Sequence, residues 1–370
     1  MQITFEKDAF LRVMEAMGRV TPKVASMPIL ENVLFESKDG NVVVTSSDME
    51  VMLRGRLQSK AEFEPFCMPH KLVTDFVKMS NKSFTTVEID VNEQFIVQVK
   101  CGTAECTVAG CSGKEFPQMD TLKGTEKPVL ELDAKGFVGG VSHIAWAVGN
   151  DDLRPVMMGV NLRKLDDENV KMCCTNAHVL STYVVAGEGD VDVTIPRKVI
   201  GVIGSGIVST DRIKVYETGR NMAAMLGEYM LYFRLVDSKY PNYEAVIPKE
   251  NNIVAKVNKD VFLSSVKRSG LFSNASTGTI ALRFERNALG DIFVVSSEDL
   301  DFGKSAKETL DCEVEGGDIA IGVNSKFLTA CLGAIEGDVV TIRMSEPNRA
   351  LLIGGEDERH ESLVMPVMLA

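Results

Sequence analysis

Short apolar runs alternate with polar residues along this 370-residue chain, and the alternation changes period in a repeating order. Three strand-like runs, QITF, VLEL and VAKV, each lead into a phenylalanine, Phe10, Phe137 and Phe262, at spacings of 127 and 125. Four residues beyond each phenylalanine lies another apolar residue: Met14, Val141 and Val266. An i, i+4 apolar pair after a polar cluster predicts the start of an amphipathic helix. Asp133 and Asn258 stand where a helix N-cap belongs and are good caps; Glu6 holds that place in the first copy and is expected to be a poor one. Period-2 runs follow, ILENVLFES, NVVVTSS and VMLRGRLQ in the first copy, with Lys38-Asp39-Gly40 predicting a hairpin turn. A second helix comes next, then the runs TVEIDV, QFIVQVK and AECTVAG.

Other landmarks keep the same spacing. Lys71, Lys198 and Lys326 sit at matching points of CMPHKLVTDFVKM, TIPRKVIGVIGSG and GVNSKFLTACLGA, 127 and 128 residues apart. Pro28 and Pro155 recur at 127, and Pro117 and Pro241 at 124. A solenoid period runs about 20–50 residues, so this one has the length of a domain. The expectation is three similar α+β domains, 1–122, 128–248 and 253–370, with polar links at 122–128 and 248–252. Each domain should pack two helices on antiparallel sheets.

Charge changes the picture. The net charge of −12 argues against a nucleic-acid partner. Its distribution argues the other way. The six helix-like windows, 7–23, 69–82, 133–148, 196–207, 258–270 and 324–336, total +8, which leaves −20 for the remainder. Helices favour Lys and Arg by propensity alone, so the segregation matters only if the six helices face one place.

Candidate chemistry is sparse. Phosphate-loop, nucleophile-elbow and zinc-protease motifs are absent, and Gly201, Gly204 and Gly206 lack the spacing of a dinucleotide cradle. The four histidines, His70, His143, His178 and His360, suggest no shared site. Cys101, Cys106 and Cys111 lack the paired spacing of a zinc site, so no metal and no cofactor is expected; the eight cysteines read as free thiols in a reducing cytoplasm. No apolar run is long enough for a membrane helix and no signal peptide opens the chain. An enzyme is not expected.

Several stretches together resemble the bacterial DNA polymerase III beta subunit family, the sliding clamps. SMPILENVLFE and TSSDMEVMLRG look like the first-domain signature of that family, DDLRPVMMGV and CTNAHVLSTY like the second. KYPNYEAVIP matches its aromatic-proline segment, and LVMPVMLA is similar to its C-terminal ending. The resemblance covers the whole length. It implies a non-catalytic, ring-forming processivity clamp, a head-to-tail homodimer around double-stranded DNA. DNA polymerase III alpha subunit, clamp loader and repair proteins would bind it through a linear peptide motif. The DNA-facing residues would be Arg19, Lys23, Lys71, Lys78, Lys198, Lys267 and Lys326. The dimer interface would include Cys106 and Val108 on one side and Leu271 and Phe272 on the other. The peptide pocket would be formed by Met157, Thr175, Ala177, His178, Val179, Leu180, Pro241, Val246, Val364, Met365, Pro366, Val367 and Met368. Pro366, with no N–H, should stop the last strand. The chain departs from the family pattern at Ala177, at Val179, Ala245 and Met368, where basic residues are common, and at Cys106, where a large apolar one is. A clamp-like paralogue acting only as an interaction scaffold is the alternative.

Overall fold

The computed structural model describes residues 2–286 and 290–369. The first and last residues of the expected outer domains, and residues 287–289, lie outside the described set.

The same order of elements is written three times. The first third runs β1 (Gln2–Glu6), α1 (Lys7–Met17), β2 (Asn32–Lys38), β3 (Asn41–Ser47), β4 (Val51–Gln58), β5 (Phe66–Pro69), α2 (His70–Met79), β6 (Thr86–Val91), β7 (Ile96–Cys101) and β8 (Ala104–Ala109), with a short β9 (Cys111–Ser112). The second runs β10 (Leu130–Asp133), α3 (Ala134–Ile144), β11 (Gly159–Lys164), β12 (Asn169–Thr175), β13 (Val179–Glu188), β14 (Asp192–Pro196), α4 (Arg197–Val202), β15 (Arg212–Thr218), β16 (Asn221–Met225) and β17 (Met230–Arg234). The third runs β18 (Ile253–Asn258), α5 (Lys259–Gly270), β19 (Thr279–Glu285), β20 (Ile292–Asp299), β21 (Lys304–Leu310), a short β22 (Glu313–Glu315), β23 (Ile319–Asn324), α6 (Ser325–Ala334), β24 (Val339–Met344), β25 (Leu351–Gly354) and β26 (His360–Val364). The strand pairings whose register the described residues give are antiparallel.

Compactness follows a different division. One unit holds residues 1–134 and 198–235, the other 135–197 and 236–370. The middle third is therefore shared. In the first unit β10, β15, β16 and β17 continue through the β17–β4 pairing into β3, β2, β5 and β9. In the second, β14, β11, β12 and β13 continue through β13–β26 into β25, β24, β18 and β22. Each unit adds a four-stranded sheet, β1-β6-β7-β8 in the first and β23-β19-β20-β21 in the second.

The periodicity explains the core. Phe10, Phe137 and Phe262 are all buried, as are Met14, Val141 and Val266 one turn on. In α1 the buried set Phe10, Val13, Met14 and Met17 is one helical stripe. Asn258 caps α5 by accepting from Val261 N at 3.1 Å, and Asn324 caps α6 by accepting from Lys326 N at 2.9 Å. Glu6 is not the poor cap expected. Its carboxylate accepts from Asp8 N (3.0 Å) and Ala9 N (2.6 Å), because a charged acceptor close to the helix N-terminus gains from the helix dipole. The window 7–23 also overshoots: α1 ends at Met17. The window 196–207 shortens to six residues of α4 plus a wide turn, in which Gly206 adopts φ 86°.

Candidate nucleic-acid and partner interfaces

Arg19, Lys23, Lys71, Lys267 and Lys326 are exposed. Arg19 and Lys78 line one open cavity of about 700 Å³ with Arg12 and Lys82, beside α1, α2 and residues 205–209. Carboxylates temper that cavity: Lys78 Nζ lies 2.7 Å from Glu15, and Arg12 lies 3.9 Å from Glu228. Lys23 stands six residues past the end of α1, so it belongs to a loop and not to the helix.

Two lysines counted in the helix-window sum are engaged within the fold. Lys198 is also exposed, but its ammonium is paired with Asp48, whose side chain is nearly inaccessible. Lys7 is buried; its Nζ donates to the carbonyls of Ser80 (3.4 Å) and Asn81 (2.9 Å), just past the end of α2. Lys259 repeats the device, donating to the Ile335 carbonyl at 3.3 Å beyond α6. Lys7 and Lys259 donate to the first carbonyls past the ends of α2 and α6. Sequence spacing alone cannot separate them from solvent-facing neighbours.

The expected pocket residues divide in the second unit. Thr175, Val179, Leu180 and Val364 are buried, and Val179 lies opposite Val364 in the β13–β26 pairing. They make the floor and the strand joint, not a lip. Ala177, His178, Val246, Met365 and Met368 are exposed, with Leu369 beside them in sequence. The turn that presents His178 is tightly tied. Asn176 Oδ1 accepts from His178 N (2.9 Å) and Val179 N (3.0 Å), and Thr175 Oγ1 accepts from Ala177 N (3.2 Å). The His178 ring stacks on Phe327 at 5.8 Å.

The strand stops at Val364, as Pro366 predicts, but the tail does not end there. Met365 N donates to His178 O at 2.9 Å, and Val367 N donates to Gly322 O at 2.8 Å, an isolated bridge to β23. A Cβ on Gly322 would fall 2.3 Å from Val367 O, so the glycine is what admits the tail. Under the lip lies an apolar cluster of Cys173, Leu180, Tyr240, Tyr243, Leu352 and Leu363, with Val156 and Ile247 against it. Val156, not its neighbour Met157, packs there; the Met157 side chain lies close to Gly149. Pro241 accepts from Tyr243 N at 2.8 Å and so shapes the aromatic turn. Phe327 and Gly322 lie in GVNSKFLTACLGA, which the residue pattern marks as a helix landmark and not as part of the lip.

Among the described residues, β8 and β21 each pair on one side only, at the edge of a four-stranded sheet. On β8 the side chains of Glu105, Thr107 and Ala109 are exposed, Cys106 is half-buried and Val108 is buried, so Val108 can offer a partner only its backbone. At the end of α5, Leu271 (77% exposed) and Phe272 (41%) stand free. Leu300 and Phe302 are also exposed, and Asn274 ties the two segments together by donating to Asp299 and Asp301 at 3.4 Å. Unpaired edges of this kind invite another strand.

Family models match the chain throughout: DNA polymerase III beta subunit N-terminal domain over 1–120, central domain over 131–242 and C-terminal domain over 244–368. The chain belongs to the DNA polymerase III beta subunit family, the sliding clamps of DNA replication. It is 25% identical to a Beta sliding clamp of Streptomyces coelicolor and 24% identical to one of Pseudomonas putida, each alignment covering all of both chains. Its fold is similar to the crystal structure of the DNA polymerase III subunit beta from Pseudomonas aeruginosa, at 23% identity, TM-score 0.90 and full coverage of both.

Set against the family pattern, the departures have physical content. Ala177 sits at φ 75°, a left-handed conformation that favours glycine. Val179 has no room for a charged replacement, being 1% exposed. A cation does stand near the rim: Lys171 Nζ lies 5.5 Å from the centroid of the Tyr243 ring, but it is paired with Glu244 at 2.7 Å. Among the described residues no group of three or more His, Cys, Asp and Glu could hold a metal ion, and no helix is long and apolar enough to cross a membrane.

Proposed function

We propose that this sliding clamp closes as a head-to-tail homodimer around duplex DNA in the cytoplasm and performs no catalysis itself. The β8 edge of one subunit meets the β21 edge of the other, with Leu271, Phe272 and the backbone around Cys106 and Val108 in the joint. Scattered exposed cations, Arg19, Lys23, Lys71, Lys78, Lys267 and Lys326, suit weak, sequence-independent contact with phosphates, which permits sliding. The groove around His178, Val246 and the Met365–Met368 tail takes an apolar linear peptide of the replicative polymerase, the clamp loader or a repair protein. What supports the reading most is the full-length match in three family domains, together with one open sheet edge in the first third and another in the last.

The test is topological. Loaded protein should stay on nicked circular DNA through a gel-filtration column and fall off once the circle is cut. The Leu271→Ala/Phe272→Ala double variant should stay folded, sediment as a monomer and show no retention. Equal retention on circular and linear DNA would refute encirclement. An unaltered dimer in the double variant would refute this interface.

A further inference from the structure

Cys67 in β5 and Cys111 in β9 lie directly opposite one another in an antiparallel pair. The phase of the pair is fixed by Gly113 N, which donates to Pro65 O at 2.8 Å. That makes 65/113 the hydrogen-bonded type and, two residues along, 67/111 the same type. Such positions hold Cα atoms about 5.5 Å apart, within the range that a disulfide spans. The two thiols are close enough to influence each other's ionisation. They pack into one apolar cluster with Leu30, Leu34 and Phe116. Cys67 is buried there, whereas Cys111 is partly open to solvent.

No other cysteines are opposed in this way. Cys101 faces Ala104 and Cys106 faces Val99. Cys173 and Cys174 are neighbours on β12, so their side chains leave opposite faces of the sheet. Cys331 is buried in α6, and Cys312 lies between β21 and β22.

We propose that Cys67 and Cys111 form a reversible thiol–disulfide site. Where small thiols keep the compartment reducing, disulfides that form are transient and redox-responsive, and this pair has the arrangement for it: one accessible entry thiol and one buried resolving thiol. The co-reactant is a low-molecular-weight disulfide. Cys111, as thiolate, attacks one of its sulfurs and releases one small thiol. Cys67 then gives up its proton and attacks the Cys111 sulfur of the mixed disulfide, releasing the second small thiol. Two protein thiols are oxidised and one external disulfide is reduced to two thiols. Burial holds both protein thiols above their ordinary pKa, so the exchange is slow at neutral pH and speeds up as pH rises. The closed bond would clip β5 to β9 and enclose α2, β6, β7 and β8 in a covalent loop, which removes freedom from the unfolded chain.

The full-length protein, incubated with oxidised glutathione at mildly alkaline pH and then alkylated, should lose two of its eight free thiols. Peptide mapping without reductant should show residues 67 and 111 joined, and dithiothreitol should restore both thiols. The thermal midpoint should rise on oxidation, and that rise should vanish in Cys111→Ser and in Cys111→Ala. Glutathione remaining on Cys111 with no cross-link, a dominant bond between any other pair, or eight alkylatable thiols after treatment would each overturn the proposal.

Discussion

The two nine-stranded sheets are joined at equivalent places by different chemistry. In the first unit β17 meets β4 through the pairs Leu231–Leu53, Tyr232–Met52 and Phe233–Val51, all buried. In the second, β13 meets β26 through Ser181–Ser362, Thr182–Glu361 and Tyr183–His360, flanked by Leu180–Leu363. The Ser181 hydroxyl lies 2.9 Å from that of Ser362 and 3.0 Å from His360 Nε2. His143 stands over this joint, its ring 5.2 Å from His360 and 5.5 Å from Tyr183, with Nδ1 2.8 Å from Ala334 O and Nε2 3.4 Å from Glu336. One joint is held by apolar area and shape. The other is held by polar groups that satisfy each other out of water, and such a joint is sensitive to whatever changes their protonation.

The apolar joint should be the costlier one to cut. Phe233→Ala removes a side chain 1% exposed between strands, a change worth about 3–5 kcal/mol with the cavity left behind. The loss should be the same at every pH between neutrality and mild acid. Urea unfolding followed by far-UV circular dichroism measures it; a loss below 1 kcal/mol would mean the first joint does not depend on packing.

The polar joint should fail with acid. Burial, then the neighbouring His143, pushes His360 down to about 4 from an ordinary value of 6.5. Above 6.5 the imidazole is neutral folded and unfolded, and the joint has its full stability. As pH falls from 6.5 the unfolded chain takes the proton first. Stability therefore drains away down to about 4 and is lost in full below it, a total of about 3 kcal/mol. His70, also lowered by burial, adds a loss of the same sign in the first unit. The single tryptophan, Trp146, lies in the second unit, so its fluorescence reports the joint that His360 serves. In His360→Gln the acid loss seen by Trp146 should flatten, while Phe233→Ala should leave its slope untouched. An unchanged acid slope in His360→Gln would show that other groups titrate the joint.

How much of this was legible beforehand depends on what kind of signal each part leaves. Phe10, Phe137 and Phe262 were readable because each starts a helical stripe, and burial follows from period. The hairpin at Lys38–Gly40 was readable because Asp39 and Gly40 need positive φ, which the structure shows at 52° and 71°. The joints were not readable. Ser181 and Ser362 look like ordinary alternating strand residues, and their partnership crosses about half the chain. Lys7 and Lys198 both enter the helix-window sum of +8, because sequence carries composition, not the carbonyl or carboxylate that a lysine will find. The lip at His178 and Met365 came from motif likeness, whereas Phe327 and Gly322, which hold it in place, came only from the folded chain.

The smallest predicted effect concerns what the joints share. Each is entered by the same turn: Ser47-Asp48-Met49-Glu50 before β4 and Thr175-Asn176-Ala177-His178 before β13. Asp48 Oδ1 accepts from Glu50 N (3.0 Å) and Val51 N (2.8 Å), as Asn176 Oδ1 accepts from the corresponding amides. Met49 N and Ala177 N both donate to the preceding hydroxyl at 3.2 Å. Met49 and Ala177 both sit in the left-handed region, at φ 78° and 75°. A non-glycine there carries a penalty of about 1–2 kcal/mol, and a glycine gives back about 0.4–1 kcal/mol in chain entropy. Met49→Gly and Ala177→Gly should therefore each stabilise by about 1 kcal/mol or less, and by equal amounts, because the strain is local to the turn and indifferent to the strand joint beyond it. Differential scanning calorimetry of the two variants checks the equality. A clear gain at one turn with a loss at the other would mean that the replaced side chain, not the backbone, was holding that turn in place, and that the two entrances differ as much as the joints they lead into.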